Sequence, residues 1–407
     1  MSSANPAGVA DRLKPFGTTI FATMSKLAAE HGAVNLSQGF PDFDGPAWIK
    51  RAACEAIERE HNQYAPMPGV PALRRAIAER FTRDTGLPCD PDAGVCVTAG
   101  CTEAIAAALL GLCNPGDEVV LFEPFYDSYR ACVAMAGATA RYVALRPVYG
   151  ERDGRRVIEG FGFEPAELER AFTSRTRAVL INTPHNPTGK VFSRAELEQI
   201  ARLCVRHNAV AISDEVYERL LMEERAQPHV SIATLPGMAQ RTLTLSSLGK
   251  TFSFTGWKIG WAVGPAELVG AVRAAHQFLT FAVATPLQHA ACEALAREQE
   301  AVGPLVAQLR ESRDVLGGAL AELGFAVHVP AGTYFICADH TAVSARLGVE
   351  GDQAFVLRLI ERCKVAAIPP SVFFDRAALG RPLVRFAFCK RPETIAEGVR
   401  RLRAGLA

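Results

Sequence analysis

The sequence predicts an α/β protein in which one mostly parallel central sheet lies between helices, followed by a smaller α+β domain. Two patterns and the length carry this expectation. In the middle of the chain, short apolar or β-branched runs alternate with helical segments, as in a parallel sheet with helices on its faces. After about Ala290 that alternation gives way to a long helical stretch and short, separated strands. The 407 residues also exceed one ordinary core, at about 150 residues per domain.

The first 45 residues, which include the irregular QGFPDF segment, are expected to pack with the smaller domain. Residues 46–290 then form the large domain and 291–407 the small one. VCVTAG (Val95–Gly100) reads as a strand and Thr102–Cys113 as a helix, stopped by Asn114-Pro115-Gly116. EVVLFEP (Glu118–Pro124), RAVLINTP (Arg177–Pro184) and AVAISDEVY (Ala209–Tyr217) are further strands. Between the last two, Ser193–Asn208 is amphipathic, and Ser193 with Glu196 has the spacing of a capping box. TLTLSS (Thr242–Ser247) is a short buried strand, followed by WAVGP and a helix near Glu267–Thr280. Glu298–Leu323 is the long helix, and FAVHVP, GTYFICAD and LVRFAFCK are the strands of the small domain.

Composition narrows the function. Lys+Arg 44 against Asp+Glu 43 leaves a net charge of +1, so no general attraction to nucleic acid or an anionic membrane is expected. Anion recognition must come from individually placed cations. The amino terminus lacks the apolar core of a secretory signal. Of the most apolar windows, Ala104–Cys113 is too short to span a membrane, and Phe278–Ala296 is interrupted by Pro286, His289 and Glu293. Eleven cysteines without a CxxC pair suggest reduced thiols in a cytoplasmic protein. Without an HExxH or EF-hand spacing, no catalytic metal is expected.

The chemistry gathers at predicted strand ends. In SSLGKTFSFTGWKIG (Ser246–Gly260), Lys250 follows the TLTLSS strand beside Gly249, and Lys258 comes eight residues later. A desolvated, neutral lysine can form an imine with an aldehyde cofactor. Gly249-Lys250-Thr251 imitates the end of a phosphate-binding loop, but that motif needs a glycine where Thr244 stands. At VTAGCTEA, the backbone N–H groups of Cys101 and Thr102 follow Gly100 and open a helix, which suits an anion; a plain N-cap is the simpler explanation. Cys101 there is read as a small filler, with a thiol of lowered pKa as the alternative. Tyr126 can stack on a flat ring. TPHNPTG stiffens a turn that holds Asn186, whose amide can reach a phenolate oxygen. SDEVY supplies Asp214, able to keep a pyridine nitrogen protonated, and Tyr217, a donor to the ring's 3-oxygen. Each residue alone has an ordinary structural explanation. Together they occupy the carboxyl ends of strands in one sheet, where open α/β sheets bind ligands.

At this point the chain resembles a known family, the class I/II aminotransferases, which are pyridoxal 5'-phosphate enzymes of fold type I. It is most similar to the branch holding bacterial methionine aminotransferase and the kynurenine and glutamine transaminases. The resemblance runs from about Gly17 to Leu402 and is carried by NLSQGFPDFDGP, NQYAP, VTAGCTEA, EPFYDSY, NTPHNPTGKV, SDEVYE, SSLGKTFSFTGWKIGW, GTYF and VRFAFCK. It implies that Lys250 is the Schiff-base lysine and proton shuttle, that Asp214 partners the pyridinium nitrogen, and that Asn186 and Tyr217 bond the 3-oxygen. Tyr126 would be the stacking aromatic. Gly100, Cys101, Thr102, Ser247 and Lys258 would hold the phosphate, Lys258 replacing an arginine common in relatives.

The resemblance also makes Arg385 the clamp for the substrate α-carboxylate, with Gly39 a backbone donor to the same group. Tyr64 would reach the phosphate in a neighbouring subunit, which implies a homodimer with shared sites. The expected reaction moves an amino group from an L-amino acid to a 2-oxo acid by ping-pong chemistry. No second arginine marks a distal carboxylate subsite, and Ile20, Phe21 and Phe373 are candidate pocket residues. Two alternatives share the fold. A cysteine S-conjugate β-lyase would use the same lysine and acid, whereas a cofactor-binding regulator would carry a DNA-binding domain ahead of the motifs, which here begin within the first 40 residues.

Overall fold

The computed structural model describes residues 8–222 and 229–406. Its centre is a seven-stranded sheet. Across the sheet the strands run Val95–Ala99, Ile259–Val263, Thr242–Ser247, Val210–Asp214, Thr176–Asn182, Glu118–Glu123 and Thr139–Ala144. Ile259–Val263 is antiparallel to both neighbours, and the remaining pairings are parallel. The fold class is therefore the expected one.

Apart from the partly exposed edge strand Thr139–Ala144, the strands are buried almost throughout because both faces are covered. Val119, Leu121, Ile212 and Leu245 pack on one face with Ala104, Ile105 and Val269 from helices Gly100–Leu112 and Ala266–Leu279. On the other face, Val120, Phe122, Val179 and Ile181 meet Leu197 and Ile200 of helix Arg194–His207. The Ser193–Glu196 capping box opens that helix. Val95, Val97 and Trp261 meet Ile49, Leu73 and Ala290 from three further helices, Ala47–Glu58, Pro71–Thr85 and Thr285–Ala296.

A second sheet of three antiparallel strands, Ala326–Val327, Phe335–Asp339 and Leu383–Ala387, shares a core with the 25-residue helix Glu298–Glu322. Met24, Ala28 and Leu36 enter the same core, and Val34–Asn35 pairs in parallel with Val365–Ala366.

Several boundaries differ from the sequence expectation, each for a local reason. The Val210–Asp214 strand stops at Asp214 rather than Tyr217, because the Asp214 side chain accepts the Val216 N–H and turns the chain. Lys250 stands on a one-turn helix, Leu248–Thr251, rather than directly at a strand end. The helix after Gly100 begins at Gly100, with Glu103 accepting the Ala99 N–H, so Thr102 is not its cap. A hairpin, Arg146–Arg152 with Arg155–Gly162, was not expected. Its two-residue turn, Asp153-Gly154, has φ of 51° and 70°, the positive pair of a type I′ turn.

Candidate active site

A cavity of about 320 Å³ opens at the carboxyl ends of the central strands, beside Phe335 and Arg385 of the three-stranded sheet. Crossover connections leave several loops on that edge, so side chains distant in sequence converge there. Its lining includes Lys250, Asp214, Asn186, Tyr217 and Tyr126, with Gly100, Cys101, Thr102, Ser247 and Lys258 at one end and Gly39 and Arg385 at the other. The exception is Tyr64, which is 84% exposed and lies outside the cavity. Phe21 lines it, while Ile20 and Phe373 line a neighbouring groove.

Lys250 is half-buried, and its Nζ donates to the Gly39 carbonyl at 3.0 Å. Burial, with Arg385 and Lys258 nearby, lowers its pKa to about 8. A substantial neutral fraction therefore exists near neutral pH, as an aldehyde-capturing amine requires. The Gly39 carbonyl also accepts the Tyr334 hydroxyl at 2.6 Å, so it is the oxygen of this residue, expected as a donor, that the structure engages.

Asp214 is 4% exposed. Its Oδ2 accepts the Tyr129 hydroxyl at 2.6 Å, and its Oδ1 accepts the Val216 N–H at 3.2 Å and the Cys101 thiol at 3.4 Å. Burial raises its pKa, opposed by these donors, Tyr129 foremost. The Cys101 thiol is likewise driven well up, by burial and by Asp214. The lowered-pKa alternative for Cys101 is thereby corrected: burial first, and the adjacent Asp214 carboxylate second, push the thiol up rather than down.

Asn182 sets the geometry around this acid. Its Nδ2 donates to the Asp214 carbonyl at 2.9 Å, and its Oδ1 accepts the Asn186 N–H at 2.7 Å. The Asn186 Oδ1 accepts from Arg385 Nη1 at 3.0 Å, which leaves its amide N–H groups for an acceptor in the cavity.

Arg385 is 1% exposed and has no carboxylate partner among the described residues. Nη2 donates to the Ser37 carbonyl at 2.7 Å, and Nε is buried without a partner. The guanidinium lies 4.2 Å from the Phe335 ring centre. Burial lowers its pKa to about 10. A buried cation held only by neutral groups is a receptor for an anion.

The opposite end fits a phosphate. Gly100 has φ of +76°, and a Cβ there would stand 2.9 Å from Lys258 Nζ. At Gly260, a Cβ would lie 2.4 Å from the Gly100 carbonyl carbon, so only glycine lets this strand approach the loop so closely. Between the two ends lie an amine, an acid and the Tyr126 ring. The donor set fits a flat, phosphorylated pyridine aldehyde, the group held by fold type I enzymes of this kind.

Comparison with known proteins agrees with that class. Residues 31–402 match the family described as Aminotransferase class I and II. The chain is 51% identical to a probable N-succinyldiaminopimelate aminotransferase of Mycobacterium tuberculosis, over 96% of this chain and 97% of that protein. It is 40% identical to the methionine aminotransferase of Escherichia coli, over 98% and 99% respectively. The solved N-succinyldiaminopimelate aminotransferase from Mycobacterium tuberculosis superposes with a TM-score of 0.91 at 51% identity, covering 98% of this chain and 100% of that one. The chain belongs to the class I and II aminotransferases. It is thus a transaminase that uses pyridoxal phosphate and acts on amino and oxo acids.

Sequence reasoning missed Tyr129 and Asn182. Tyr129 lies three residues after Tyr126, the spacing that puts two side chains on one face of a helix, and that signal was readable. Nothing local marks Asn182, whose role depends on the neighbouring strand.

Proposed function

We propose that the enzyme moves the amino group of an L-amino acid with an uncharged side chain to a 2-oxo acid by ping-pong chemistry. Methionine, an aromatic amino acid, kynurenine or glutamine would be the donor. The observation that carries this reading is the convergence of a neutral-prone Lys250, a buried Asp214 and an uncompensated Arg385 on one cavity. Bound pyridoxal phosphate supplies an electron sink for the charge left when the substrate Cα loses its proton. Lys250 would hold the cofactor's aldehyde carbon, and its Nζ, once free, would move the proton at the substrate Cα. Asp214 keeps the ring nitrogen protonated, and Asn186 and Tyr217 donate to the 3-oxygen. Gly100, Cys101, Thr102, Ser247 and Lys258 hold the phosphate, and Tyr126 packs on the ring. Arg385 and Gly39 orient the substrate carboxylate.

The side-chain preference is supported by Phe21, Phe40 and Phe335 and by the cations among the cavity's described residues: Lys250, Lys258 and Arg385 already have tasks. A second reading, an N-succinylated diamino acid as donor, is favoured by the Mycobacterium tuberculosis relative at 51% identity. A panel of amino donors against several oxo acids separates the two. Lys250→Ala should lower turnover at least about a thousandfold and remove the bound cofactor's visible absorbance. Retained steady-state transamination would sink the assignment.

Assembly as a homodimer is supported by an exposed aromatic patch. Tyr64 packs edge-on against Phe281 at 5.4 Å, and Phe278 is 85% exposed. Such a patch suits an interface, and Tyr64 would reach the partner's phosphate across it. All eleven cysteines are unpaired, which supports a cytoplasmic setting; among the described residues no helix is long and apolar enough to cross a membrane.

A further inference from the structure

We infer that Tyr129 is a positioning residue whose hydroxyl keeps the Asp214 carboxylate ionised and aimed at the cofactor's ring nitrogen, with Cys101 as a weaker second donor. The inference rests on the role proposed for Asp214. Helix Asp127–Met135 opens immediately after Tyr126, and its first turn carries Tyr129. The two rings meet edge-on at 5.7 Å, both in the cavity wall, with Tyr129 the more deeply buried. One helix start therefore delivers both an aromatic for the cofactor and an anchor for its acid.

The hydrogen-bond arithmetic explains why the anchor matters. A carboxylate has about four acceptor positions. Tyr129 takes one on Oδ2, and Val216 and Cys101 share Oδ1. Room remains for a ring nitrogen. Burial favours the neutral acid, and a neutral acid cannot hold a pyridinium proton. The 2.6 Å bond from Tyr129 is charge-assisted and opposes that tendency most strongly. Tyr129 itself is held far from ionisation by burial and by Asp214, so it remains a donor throughout the working range. A tyrosine that merely filled space would need no such bond.

A double-mutant cycle tests this. Cofactor affinity is read by fluorescence titration of the apoprotein with pyridoxal phosphate, and the pH midpoint of the bound cofactor's visible band is recorded beside it. Tyr129→Phe should weaken affinity roughly tenfold, as loss of a hydrogen bond to a charge predicts, and should displace the midpoint. On an Asp214→Asn background the same change should cost less than about twofold, because no ionised acid remains to be held. Cys101→Ala should act in the same direction by roughly two- to threefold, as a weak donor would, and carries the test should Tyr129→Phe fail to fold. Equal losses on both backgrounds, or no displacement of the midpoint in either single variant, would overturn the inference. If Asp214→Asn alone changes neither quantity, it is the role of Asp214 that fails instead.

Discussion

Two buried arginines, one on a helix packed against the seven-stranded sheet and one in the cavity, resolve the cost of burial in opposite ways. Arg80, on helix Pro71–Thr85, donates Nε to Glu298 at 2.8 Å and Nη2 to Glu218 at 2.6 Å. Burial pulls its pKa down, but the two carboxylates outweigh that and hold it above the usual guanidinium value. Arg385 is at least as buried, yet it meets only an amide oxygen, a carbonyl and aromatic faces, and its pKa falls to about 10. A buried charge with its counter-ions in place belongs to the architecture. One without them marks where a charged ligand completes the protein.

Removing each charge should therefore have a different consequence. Arg80→Ala leaves Glu218 buried without its arginine, while Glu298 keeps Arg83 and Arg219, and should cost about 3–5 kcal/mol of stability. Chemical denaturation would show the loss as a fall in midpoint, and an unchanged midpoint would erase the contrast. Arg385→Ala should leave the midpoint unchanged or slightly raised. It should weaken binding of amino and oxo acids by about 2–4 kcal/mol, seen as a large rise in KM for both substrates. Arg385→Lys keeps the charge but loses the planar fork, so its KM should rise only about tenfold.

The smallest effect concerns Lys250. Only the neutral form of Lys250 captures an aldehyde, and the neutral fraction grows with pH. The rate of cofactor capture by the apoprotein should climb as pH rises towards about 8 and level off above it. A climb continuing to the range of an exposed lysine would show that burial does not depress this amine.

Much of the cavity was legible because its residues sit in short motifs at strand ends. NTPHNPTG, SDEVY and SSLGK each place a functional group at the same sheet edge, so local pattern and topology agree. The Arg80–Glu298 pair was not legible, since 218 residues separate its members and no periodicity records the contact. The same holds for Asn182, which acts on Asp214 across two paired strands. Asp153-Gly154 was a readable turn signal, obscured by the charged residues of ERDGRR around it. The one-turn helix that carries Lys250 is too short to give a helical pattern.

The central claim is that the ε-amine of Lys250 carries the cofactor. Borohydride reduction of the purified holoenzyme followed by peptide mapping tests it most directly. The account predicts a single reduced pyridoxyl group, on Lys250. A pyridoxyl group on Lys258 or another lysine, or none at all, would contradict it.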